Sequence, residues 1–170
     1  MANVEINELT ELTSPDGDDL LIIDDESGGA YTTKNIKYSN LVPYQYMYIR
    51  VLGESDALSV GDGKMTFVVP FNCVLKDAEA SVTTGSAADG PIAIQLRNLD
   101  YSGGAQDMLT TKITIDDGEL SSYTAAAPCA PNASYDDIAA GDRIRIDVDD
   151  EGDGDAEGLD VILVLQRTMS

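Results

Sequence analysis

The sequence predicts an all-β protein, an antiparallel sandwich or a barrel, and three observations carry that expectation. Runs with a period of two recur from Tyr44 onward. Glycine- and aspartate-rich turns separate them at regular spacing, as at Ser102-Gly103-Gly104 and Asp116-Asp117-Gly118. No segment sustains a 3.6-residue apolar period over a useful length. Short strands broken by Gly and Asp turns are the pattern of sandwiches and barrels, because such residues reverse the chain without strain.

The chain opens with a segment too small to hold a core. Val4 to Leu12 alternates weakly and fits an arm or a single helical turn. Ser14-Pro15-Asp16-Gly17 is a turn signal. Leu20-Leu21-Ile22-Ile23 reads as a short strand, Asp24 to Gly29 as a loop, and Tyr31 to Ile36 as a second extended piece. Lys34 to Val42 is expected to end in one helical turn that Pro43 stops. Two strands make a hairpin at most, and a lone hairpin is marginal in water. The apolar run Leu20, Leu21, Ile22 and Ile23 is therefore expected to bury against a partner.

Tyr44 to Leu52 is the first long strand by composition. Its alternation sets Tyr44, Tyr46, Tyr48 and Arg50 on one face and Gln45, Met47, Ile49 and Val51 on the other. The tyrosine face reads either as a contact surface, since Tyr is enriched at interfaces, or as a half-buried face with hydroxyls at its rim. Gly53 to Gly63 reads as a loop. Strands follow at Lys64–Val69, Cys73–Thr84, Ile92–Leu99, Met108–Ile115 and, more weakly, Leu120–Ala127. Residues 128 to 141 read as a long connection with two prolines. Arg143 to Val148 alternates through Ile144, Ile146 and Val148. The run from Leu159 to Arg167 is the most apolar and is expected to be central. Leu159, Val161, Leu163 and Leu165 would face the core, and Ile162 and Val164 would be covered if something packs on the second face.

Composition narrows the partners. Hydrophobic residues make up 43% of the 170 residues, too many for a disordered chain. Ten basic against 31 acidic residues give a net charge of −21. Such a charge repels nucleic acid, whose binding rests on Lys and Arg at phosphates, and an anionic membrane surface. It fits either a salty medium, where screening shortens self-repulsion, or an ordinary acidic protein. MANVEINELTE has neither the basic region nor the apolar core of a signal peptide. No run reaches the ~18 apolar residues of a helical membrane span.

Catalytic constellations are not visible. Histidine, the commonest general base, does not occur. There is no G-x-S-x-G, no phosphate-binding Gly-rich loop and no C-x-x-C. Cys73 and Cys129 read as small apolar fillers. The expectation is a protein that is not an enzyme. One loop offers metal chemistry: Asp149, Glu151, Asp153 and Asp160 nearly match the acidic positions of an EF-hand loop around Gly154. It departs at Glu151, at Asp160 in place of the bidentate Glu, and in its strand-like flanks. Calcium and a solvated acidic hairpin are both readings of this loop.

The first segment also carries a resemblance. Glu8-Leu9-Thr10, Glu11-Leu12-Thr13, Asp19-Leu20-Leu21-Ile22-Ile23-Asp24, Thr33-Lys34-Asn35-Ile36 and Asn40-Leu41 resemble an N-terminal motif of tailed-phage virion structural proteins, among them tail fibres, head fibres and decoration proteins. It covers about 35 residues. Asp142 to Val148 and Gly158 to Leu163 are similar in style to jelly-roll domains of phage surface proteins. The resemblance implies an attachment arm over 1–43 and an exposed jelly-roll-like β-sandwich over 44–170. It further implies a homotrimer, a major capsid protein or another virion protein as partner, and a place on the capsid surface after synthesis in the host cytoplasm. The short chain favours a capsid decoration or cement protein. A tail-associated fibre or adhesin binding a host receptor is the alternative.

Overall fold

The structure is a computed structural model that describes residues 20–25, 32–37 and 44–168, the first two ranges by their backbone. The chain divides into two compact units, Met1–Val42 with Met169–Ser170, and Pro43–Thr168. In the first, β1 (Leu20–Asp25) pairs antiparallel with β2 (Thr32–Lys37), from Leu20 opposite Lys37 to Asp25 opposite Thr32. The arm expected at Val4–Leu12 and the helical turn expected before Pro43 lie outside the described residues.

The second unit is an antiparallel sandwich. Its long strands are β3 (Tyr44–Ala57), β4 (Gly61–Val68), β5 (Cys73–Ser81), β6 (Ile92–Asn98), β12 (Arg143–Asp150) and β13 (Glu157–Arg167). Short strands between them are β7 (Gln106–Asp107), β8 (Leu109–Thr111), β9 (Ile113–Ile115), β10 (Ala130–Pro131) and β11 (Asp137–Ile138). One sheet has the order β11-β5-β13-β3, the other β4-β12-β6-β7, with β9 also on β6. β8 and β10 form a small separate pair. From β3 to β6 successive strands switch sheets, and β11, β12 and β13 switch again. This is the strand order of a jelly roll.

Alternation explains which residues fill the space between the sheets. Leu159, Val161, Leu163 and Leu165 of β13 are buried, as are Ile92, Ile94 and Leu96 of β6 and Ile144, Ile146 and Val148 of β12. β5 departs from strict alternation. Leu75 stands opposite Leu165, but Asp77 stands opposite Val164, so Lys76 is an extra, exposed residue. This bulge reverses the phase. Cys73 and Leu75 before it and Ala78 and Ala80 after it therefore all point inward.

Several segments differ from the sequence expectation: the single strand expected over Met108–Ile115 is broken into β8 and β9, which pair with β10 and β6, and the connection expected over residues 128 to 141 carries β10 and β11. β3 runs on through the loop expected from Gly53, as far as Ala57. The strand expected over Leu120–Ala127 is instead a 3-10 turn at Ser122–Thr124. Its hydroxyls compete for backbone groups. Ser121 Oγ accepts from Tyr123 N, and Ser122 Oγ accepts from Ala80 N at 2.9 Å, which covers the free edge of β5. The acidic loop does not close a hairpin: β12 and β13 belong to different sheets, so it crosses between them.

Polar contacts tie the ends of the second sheet. Asp100, just past β6, accepts from Arg143 N, Nε and Nη2 of β12 at 2.7–2.9 Å. Asp147 is only 4% exposed. Its carboxylate accepts from Gly63 N at 2.6 Å and from Arg145 Nη2 at 2.7 Å.

Two tests follow from this packing. Leu163→Ala leaves a cavity at a site with no solvent access. It is expected to cost about 2–5 kcal/mol in urea denaturation; a loss below about 1 kcal/mol would remove β13 from the centre. The second concerns acid. The Arg143 hydrogen bonds lower the Asp100 carboxyl from 3.8 to about 2. A carboxylate lowered in the folded state stabilises it above its unfolded value and loses that contribution as pH falls. Stability is therefore expected to drop between about pH 4 and 2, and Asp100→Asn to flatten part of that slope.

Candidate interaction surface

The most distinctive surface is the outer face of the first sheet. On β3, Ile49 and Val51 are buried while Tyr44, Tyr46 and Tyr48 point outward, exposed at 53%, 72% and 57%. Directly opposite residues on antiparallel strands share a face. Tyr44 stands opposite Gln166, Tyr46 opposite Val164, Tyr48 opposite Ile162 and Arg50 opposite Asp160. Across β13, Val164 faces Asp77 of β5 and Ile162 faces Glu79. The face thus has an edge column of tyrosines, a middle column with half-buried Ile162 and Val164, and an inner column with two carboxylates.

The column is closed at one end by charge. Arg50 Nε donates to Asp160 at 3.1 Å, its Nη1 lies 3.4 Å from Glu54, and Tyr48 Oη accepts from Nη2 at 3.5 Å. The Asp160 hydrogen bond raises the Arg50 guanidinium further above its ordinary value. Beyond β5 the face falls into a groove of about 210 Å³ lined by Asp77, Glu79, Thr114, Tyr123 and Cys129 among others. Tyr123 is 81% exposed. Burial pushes the Cys129 thiol up to about 12 and the Cys73 thiol up to about 11. Both stay protonated at neutral pH and are poor nucleophiles.

The acidic loop is held together by protein groups. Asp149 pairs with Lys112 Nζ at 2.8 Å, and Glu151 accepts from Val60 N at 3.0 Å. Asp153 accepts from Ala87 N at 2.8 Å and from Asp155 N at 3.1 Å. These backbone donors lower its carboxyl below the usual value, that of Ala87 most. Asp160 is taken by Arg50. The calcium reading needed these four to converge. Each has a different partner, and no group of three metal-ligating side chains occurs among the described residues. The loop instead clasps the turn after β5, where Ser86 Oγ accepts from Asp153 N and donates to Ala88 O.

The other expected contact residues, Leu20, Leu21, Ile22 and Ile23, form most of β1, and their side chains lie outside the described residues. Reading the sequence missed Tyr123, Asp77 and Glu79 as neighbours of this face. The bulge at Lys76 hides the outward phase of β5, and the 3-10 turn that carries Tyr123 breaks the strand pattern.

Melting in calcium is expected to coincide with melting in EDTA. An upward shift with calcium would mean that the loop rearranges into a site, because a ligand binding only the folded state raises its stability. No protein-family model matches the chain, and no curated protein or solved structure matches it either.

Proposed function

We propose that this chain is a structural protein of a tailed-phage virion, a capsid decoration or cement protein. Residues 1–43 attach it to the major capsid protein or another virion protein, and the jelly-roll unit faces the medium. The observation that carries this reading is the division of the chain into two units, the first with one two-stranded sheet among its described residues and the second a complete sandwich. A hairpin alone is marginal and gains stability by burial against a partner. The sandwich joins Ile49 through Leu165 in one core cluster. The sequence motif from Glu8 to Leu41 supports the same reading by resemblance.

The mechanism is burial of surface. The proposed function is non-catalytic: the chain has no histidine, and its two thiols are held protonated. The net charge of −21 keeps coated particles apart by repulsion. The exposed tyrosine column favours a second reading, a tail-associated adhesin that binds a host receptor through that face.

Copy number separates the two. Hundreds of copies per particle are expected for the capsid, and a few to tens would transfer the protein to the tail. A chain lacking residues 1–43 is expected to remain folded and soluble but to lose particle binding. Retained binding would put the attachment site in the sandwich.

A further inference from the structure

β3 is an edge strand with little protection. It ends the order β11-β5-β13-β3, and among the described residues it pairs only with β13. Among the described residues nothing pairs with its outer side, whose backbone donors and acceptors are a template for another strand. Edge strands are commonly blunted by charges, prolines or bulges. From Tyr44 to Ile49 there is no charge and no proline, and the bulges of this pair lie at the far end, past Arg50.

We propose that the edge of β3 pairs with β3 of a second copy of this chain, antiparallel and centred on Tyr46, so that the two sandwiches share a continuous sheet. Three observations bear on a second copy as the occupant. The first is self-complementarity. An isologous contact must match itself under a two-fold axis, and pairing about Tyr46 sets Tyr44 of one copy against Tyr48 of the other. Both crossings are aromatic pairs on one face, a favourable cross-strand combination. The second is charge. A net charge of −21 opposes self-association, so two copies can meet only where the contact itself adds no acidic pairs, and the uncharged stretch from Tyr44 to Ile49 meets that condition.

The third is exposure. Tyr44, Tyr46 and Tyr48 are 53%, 72% and 57% exposed, so the flanks of their rings are open to lateral packing against the rings of a neighbouring β3, while the outer face of the sheet, with Ile162 and Val164 of β13, stays in water. The contact does not depend on what the N-terminal unit binds.

The geometry gives a direct test. At the centre of an antiparallel pair, two Tyr46 Cα atoms would lie about 4.5–5.5 Å apart, inside the ~4.4–6.8 Å range of disulfides. The full-length Tyr46→Cys variant, oxidised and run on a non-reducing gel, is expected to form a covalent dimer in high yield. Background from the native thiols is low, since Cys73 is buried and both are held protonated. Tyr123→Cys, at 81% against 72% no less exposed but off this column, is the control, made together with Cys129→Ser because Tyr123 and Cys129 line the same groove. Sedimentation velocity of the wild type is expected to show self-association, and Tyr46→Glu to weaken it at least tenfold without altering the circular dichroism.

A monomeric wild type, or equal cross-linking from Tyr123→Cys, overturns the pairing. So does a trimer that yields no Tyr46-linked dimer, or a face occupied by the chain's own N-terminal segment, a glycan or another virion protein. Particle binding by the same variants is a separate readout. If binding needs residues 1–43 while Tyr46→Cys stays uncross-linked, the attachment stands and the pairing falls.

Discussion

The sandwich depends on β13 lying between β3 and β5. Among the described residues β3 has no other strand partner, and apart from β13 the one strand paired with β5 is the two-residue β11. Four buried side chains, Leu159, Val161, Leu163 and Leu165, face the second sheet. Each contributes about 1.5–3 kcal/mol by leaving water. The other face of the same strand, with Ile162 and Val164, is only half covered. One strand thus supplies both the middle of the core and the middle of the exposed face. The tyrosines stand where they do because their strand is registered against it.

The second sheet is fastened partly by polar groups, and these are matched closely. Buried Asp147 meets a guanidinium and a backbone amide. Asn98 donates to Asp142 and accepts from Asp100 N. Gln95 donates to Leu109 O and accepts from Leu96 N. A buried polar group without partners costs free energy, so these residues act by position more than by strength. Arg97 Nε is the exception among the described residues, buried without a hydrogen bond and 3.6 Å from Asp107.

Much of the fold was legible because alternation and turns are local signals. The central place of the C-terminal run followed from apolar residues at both phases of Val161 to Leu165, which implies cover on two sides. What stayed hidden depends on residues far apart. The bulge at Lys76 exists because β13 sets the register of β5, and no property of Lys76 announces it. Ser121 and Ser122 read as strand positions until β5 presents an edge for them to cap. The acidic loop matched a metal-binding spacing because its carboxylates are dense. Whether they converge is decided by Lys112, Val60, Ala87 and Arg50, none of which lies in the loop.

Arg50 and Asp160, neighbours in the β3–β13 pair, are 110 residues apart in sequence. During synthesis, β3 and β5 therefore leave the ribosome long before the strand that joins them. Closing so long a loop costs entropy that local contacts do not offset early, which makes such topologies slow to fold. In that interval the uncharged edge from Tyr44 to Ile49 is open on both sides. A protein made in quantity would then face its greatest aggregation hazard before β13 arrives, and its high negative charge acts as a safeguard for the nascent chain as much as for the finished one.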